Sequence, residues 1–258
     1  MKFPIIDAHI HFDMYEKHER QQIIEDLLKE KIEAMISVSN NYTSAVENLR
    51  LNKTYPQIKP AAGYHPEQPL PSKKETADIV DLIFKEKDNF YAIGEVGLPY
   101  YLRKKGKVSN LKEYINMLET YIDLAKQLDK PIICHAVYED ANIVLDLLKK
   151  HSVEKAHFHW FKGSDHTLEQ IRKAGYFISV TPDSCYEKEI QHIVSKFPLE
   201  YLMVETDGPW PFKGEFEKEL THPRMIHESI QIISNIKQLE PSDVYNRLLK
   251  NTKKFYQC

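Results

Sequence analysis

Eight short runs rich in apolar and β-branched residues recur along the chain, each bounded by Gly, Pro or Asp, and this recurrence restricts the fold more than any other feature. They are Pro4–His11, Ala34–Ser39, Ile58–Tyr64, Phe90–Val96, Pro131–His135, Lys155–His159, Tyr176–Val180 and Tyr201–Asp207. Between them lie segments whose apolar residues return at intervals of three and four, such as Glu19–Lys31, Leu111–Leu128 and Asn142–Lys150, with a final pair at Pro223–Leu239 and Ser242–Tyr256. Strands that alternate with helices are parallel and joined by crossovers. Eight such units in 258 residues fit a closed (β/α)8 TIM barrel in the α/β class, with a doubly wound open sheet as competitor. No internal repeat, Ser/Gly linker or low-complexity stretch divides the chain, which predicts one domain over residues 1–258.

The strand ends separate the two architectures. The first strand carries His9 and His11, the fourth Glu95 between Gly94 and Gly97, the fifth His135, the sixth His157 and His159, and the eighth Glu205 and Asp207. Each residue alone has an ordinary structural use: a satisfied core histidine, a paired acid, a turn residue before Gly208-Pro209. Metal-ligand types at the C-terminal ends of five strands are another matter. In a barrel those ends share one face, so His9, His11, Glu95, His135, His159 and Asp207 converge; in an open sheet the first and eighth strands would not both reach. Five of the eight glycines (Gly63, Gly94, Gly97, Gly163 and Gly208) lie in or beside the same stretches, where close approach needs them.

Two strand residues separated by one lie on one side, about 6–7 Å apart along the backbone, so His9 and His11 can turn toward one ion. Four imidazoles and two carboxylates exceed the ligand set of one tetrahedral ion and favour two divalent metals. His9, His11 and Asp207 are expected at one, His135 and His159 at the other, with Glu95 between. Two such ions acidify a shared water and clamp the oxygens of a phosphoryl or acyl centre, so hydrolysis is the expected reaction. Softness suits zinc, iron, manganese or nickel better than magnesium without choosing among them. The alternation along a strand also sets Asp7 beneath His9 and Glu205 beneath Asp207 as orienting partners, and leaves His157 structural.

At these residues the chain resembles the TatD family of metal-dependent hydrolases, within the amidohydrolase-like barrels. The likeness runs in order through DAHIHF at Asp7–Phe12, GYHP at Gly63–Pro66, AIGEVGL at Ala92–Leu98, PIICHA at Pro131–Ala136, HWFKG at His159–Gly163 and ETDGP at Glu205–Pro209. It implies a divalent-metal deoxyribonuclease-like hydrolase of phosphodiesters. By motif position His9, His11, Glu95, His135, His159 and Asp207 would be metal ligands, and His65 would face the substrate phosphate. The chain departs from the family pattern at Pro99, where Asp is usual, at Val137, where Arg is frequent, and in the segment Trp210–Arg224. Those changes spare the ligands and alter the rim.

For the rim, Arg103, Lys104, Lys105 and Lys107 after the fourth strand, with Tyr100 and Tyr101 before them, form a candidate patch for tracking phosphates and stacking bases. Trp210, Phe212, His222 and Arg224 are candidates for the opposite wall. The leading expectation is a two-metal phosphodiesterase acting on DNA or another phosphodiester, with Asp207 taking or relaying the proton of the attacking water, and Glu95 and His65 also in the catalytic set. An amide, lactone or ester hydrolase on the same metal site and a non-catalytic, metal-loaded binding barrel are the alternatives. A net charge of −3 argues against a globally basic nucleic-acid coat. Three cysteines without a CxxC, no signal-peptide core and no long apolar span predict a cytoplasmic protein without a membrane segment, and no obligate protein partner is evident.

Overall fold

The structure, a computed structural model, describes residues 2–258. Its strands are β1 (Ile5–Ile10), β2 (Ile32–Ser37), β3 (Ile58–Ala62), β4 (Ala92–Gly97), β5 (Ile132–His135), β6 (Ala156–Phe158), β7 (Phe177–Val180) and β8 (Leu202–Val204). They pair in parallel, each with the next in sequence, in one eight-stranded sheet ordered β1 to β8. Past the last ladder the ring closes through the backbone, where Asp207 N donates to His9 O at 2.9 Å and His11 N donates to Gly208 O at 2.8 Å. The closing bonds therefore run through residues expected at the site. This is the predicted (β/α)8 TIM barrel.

Helices α1 (Lys17–Asp26), α2 (Tyr42–Thr54), α3 (Lys73–Lys85), α4 (Tyr100–Lys104), α5 (Leu111–Gln127), α6 (Glu139–Lys150), α7 (Asp165–Lys173), α8 (Lys188–Lys196), α9 (Ile226–Lys237) and α10 (Pro241–Tyr256) join the strands or complete the ring. Side-chain caps start several of them: Asn41 accepts from Ser44 N, Ser72 from Glu75 N, and Ser164 from Thr167 N. Proline opens α10, where a missing N–H costs nothing. The expected helix from Glu19 to Lys31 stops at Asp26, and a turn carries the chain into β2.

A large apolar cluster fills the space between strands and helices, with Leu118, Tyr121, Ile122, Leu145 and Ile230 buried against strand residues such as Ile93 and Ile178. A smaller cluster of Ile6, Ala8, Ile36, Val38, Ala61, Ile133 and Met203 packs strand against strand, and Phe255 and Tyr256 at the end of α10 join it. Tyr256 Oη lies 2.7 Å from His157 Nδ1, tying that cap into the barrel. Gly97 makes β4 and β5 converge, since a Cβ there would stand 2.0 Å from His135 O. No helix among the described residues is long and apolar enough to cross a membrane.

Candidate metal centre

The C-terminal strand ends bring seven predicted residues into one cluster. Glu95 stands at its middle, completely buried. Its Oε2 faces His9 Nε2 at 3.2 Å and His11 Nε2 at 3.2 Å. Asp207 Oδ1 lies 3.2 Å from the same His9 nitrogen and 3.5 Å from that of His11. The other oxygen, Oε1, faces His159 Nε2 at 2.6 Å, His135 Nδ1 at 2.8 Å and His65 Nε2 at 3.4 Å. One carboxylate thus looks into two half-sites, and His9 and His159 join them with rings stacked 3.9 Å apart.

The donor atoms meet the requirements of a cation site. Donor atoms of His9, His11 and Glu95 all lie within 4.8 Å of one another, as do those of His9, His159 and Asp207, and those of His65, Glu95 and His135. Both ring nitrogens of His9, Glu95 Oε2 and Asp207 Oδ1 are buried without a hydrogen-bond partner. Buried polar atoms left in that state are costly, and a bound cation would satisfy His9 Nε2, Glu95 Oε2 and Asp207 Oδ1. The ionisation preferences agree. Burial raises the Glu95 pKa, but His159, His65 and His9 outweigh it and hold the carboxyl well below its usual range. Burial and His159 lower His9, yet Glu95 and Asp207 carry it up to about 9. The two carboxylates thus favour positive charge on the side chains that face them.

Other residues fix these side chains. His159 Nδ1 lies 3.4 Å from Glu205 Oε1, and Glu205 also accepts from Trp160 N at 2.8 Å and from Ser179 Oγ. Glu205 therefore backs His159, not Asp207 as expected, because strand alternation ends at Val204 and Asp207 turns with φ of 51°. Asp7 meets the expectation in part: its Oδ1 accepts from His9 N at 3.2 Å, while the carboxylate also accepts from Thr206 N at 3.0 Å and Thr206 Oγ1, pinning β1 to the end of β8. The register of β1 against β2 shifts between Asp7 and Ile10, so simple alternation does not carry from Asp7 to His9. His157 lies deeper, between Tyr256 Oη and Ser179 Oγ at 2.6 Å.

The model for the family of TatD related DNases matches residues 6–257. The chain belongs to this family. An uncharacterized metal-dependent hydrolase of Haemophilus influenzae is 37% identical, over 98% of this chain and 99% of that one. The human deoxyribonuclease TATDN3 is 26% identical over 98% of this chain and 94% of its own. Among solved structures, the TatD homologue YjjV of Escherichia coli shares the fold with a TM-score of 0.89 at 21% identity, covering 98% of each chain.

Within the TatD frame the rim divides differently from its sequence. Arg103 pairs with buried Asp140, and Lys104 Nζ lies 2.9 Å from Glu139 and over the Tyr100 ring, so two of the four expected phosphate contacts are engaged in ion pairs. Lys105 and Lys107 are exposed, with no ion pair among the described residues. Trp210 is 62% exposed. Phe212 turns inward against Trp160, His222 is buried with Nδ1 accepting from Arg224 N, and Arg224 pairs with Glu219. Glu67, which no sequence motif singles out, accepts from Tyr101 N and Leu102 N at 2.7 Å each and faces His135 Nε2. Its signal was a carboxylate directly after His65-Pro66.

Proposed function

We propose that the chain is a dinuclear, divalent-metal-dependent phosphodiesterase acting on DNA. The observation that carries this reading is Glu95, with one oxygen turned to His9, His11 and Asp207 and the other to His135 and His159. On this reading His9, His11 and Asp207 would hold one ion, His135 and His159 the other, and Glu95, with an oxygen turned to each set, would serve both. Divalent ions there supply positive charge to phosphate oxygens and acidify water. The nitrogen-rich donor set favours zinc, iron, manganese or nickel. The 26% identity to a human deoxyribonuclease supports DNA as the substrate class.

The chain's own residues supply position and proton transfer. His65 Nδ1 accepts from Glu67 N at 3.1 Å, so its neutral ring carries the proton on Nε2, which points into the cluster. That N–H is the donor for a phosphate oxygen. Asp207, with Oδ1 free of hydrogen bonds and beside both histidines of its half-site, takes or relays the proton of the attacking water. Exposed Trp210 offers an apolar face to a base, and Lys105 and Lys107 offer charge to the following phosphates. Three unpaired cysteines suit a reducing cytoplasm.

The test combines metal content per chain with release of nucleotides from a single-stranded DNA oligomer, with and without added Mn²⁺, using Glu95→Ala as control. Two ions per chain and metal-dependent release that the variant lacks are expected. Two ions without release from any oligonucleotide would refute the DNA assignment and direct the search to carbonyl substrates; a chain that takes up no metal would refute the whole reading.

A further inference from the structure

The two imidazoles assigned to the second ion are each backed by a carboxylate. His159 turns Nε2 to Glu95 and Nδ1 to Glu205 at 3.4 Å. His135 is the mirror case, with Nδ1 toward Glu95 at 2.8 Å and Nε2 toward Glu67 Oε1 at 3.5 Å. That Nε2 is buried and lacks a hydrogen bond, and a closure of a few tenths of an ångström would make one with Glu67. An imidazole that binds a cation through one nitrogen must carry its proton on the other, and an acceptor facing that nitrogen fixes both tautomer and ring angle.

We propose that Glu67 is a positioning residue for the second ion: it accepts the Nε2 proton of His135 and so presents Nδ1 to the metal. This rests on the dinuclear reading above and names a residue outside the predicted set. The loop carboxylate is well held. Tyr101 N donates to Oε1 and Leu102 N to Oε2, both at 2.7 Å, and each oxygen keeps a second lone pair for another donor. The helix providing those amides, α4, is anchored to α6 by the pair of Arg103 with Asp140. Glu67 therefore sits between a fixed helix and a ring that needs fixing, and it joins the Tyr101 rim, 6.2 Å from the His135 ring, to the metal centre.

Calorimetric titration of the chelator-treated full chain with Zn²⁺ tests this. Wild type is expected to take up two ions. Glu67→Ala should hold one of them unchanged and the other about 10- to 100-fold more weakly. Glu67→Gln, which keeps an acceptor, should recover part of the loss. Lys104→Met removes an exposed ion pair of α4 with Glu139 without touching the Glu67–His135 contact or the Arg103–Asp140 anchor, and should bind both ions like wild type. In the zinc-loaded protein, ¹⁵N spectra of the histidine side chains should show a slowly exchanging Nε2 proton on His135 that exchanges rapidly in Glu67→Ala. Zinc binding by Glu67→Ala equal to that of wild type overturns the proposal. So does an equal loss in Lys104→Met, which would assign the effect to a general disturbance of the helix. Fewer than two ions in wild type would instead overturn the dinuclear reading itself.

Discussion

Glu95 is charged, fully buried and flanked by five imidazoles, and every one of those features would be destabilising alone. They are stable together because the carboxylate compensates the positive charge that the histidines collect. His222, in the last loop, shows the opposite response to burial. No carboxylate approaches it closer than Asp26 at 3.5 Å, and burial, the largest influence, lowers its pKa to about 4, with Arg224 adding to the effect. The folded state thus refuses a proton that the unfolded chain accepts below about pH 6.5. Stability attached to His222 is present above that pH and is lost as the pH falls through about 4. Urea unfolding across this window should show a shallower decline for His222→Asn than for wild type, by at most about 3 kcal/mol at the acid end. Asn keeps an acceptor for Arg224 N, so an identical decline in both proteins would refute the assignment.

Among the elements, α4 shows how far charge in sequence can differ from charge available to a ligand. The run Arg103–Lys107 reads as one basic patch, yet Arg103 and Lys104 are turned to Asp140 and Glu139 on α6 and only Lys105 and Lys107 remain free. The Lys105→Gln/Lys107→Gln double variant is expected to raise KM for a DNA oligomer and to reduce the slope of log KM against log salt by about 1 to 2, the effect of losing one or two phosphate contacts. Arg103→Gln should act mainly on stability, because it leaves Asp140 buried without its partner. Unchanged salt dependence in the double variant would remove these lysines from the substrate path.

For the whole molecule, the ligands proposed for the two ions come from β1, β4 and β5 and from residues just past the ends of β1, β6 and β8, so the centre spans the ring, including its closure. Binding there should add stability to the entire barrel. At a hundredfold excess over Kd each ion contributes about 2.7 kcal/mol, which in a chain of this size raises Tm by several degrees. Chelation is therefore expected to lower the wild-type Tm in scanning calorimetry and to change that of Glu95→Ala much less. Equal sensitivity in the two proteins would place the stabilising metal elsewhere.

The sequence by itself determined the eight βα units, their parallel arrangement and the convergence of His9, His11, Glu95, His135, His159 and Asp207, because period-two and period-3.6 patterns and strand-end positions are local properties of the chain; His65 entered through the family resemblance. Only the tertiary structure decided which side chain backs which. Glu205 serves His159 because Asp207 leaves the strand conformation, Asp7 holds Thr206 as well as the backbone of His9, and Glu67 reaches His135 from a loop two strands away. The division of the basic run likewise depends on Glu139 and Asp140, more than thirty residues along the chain. Such partnerships are set by loop paths and backbone irregularities, which carry no repeating pattern, and they become visible only when the barrel has closed.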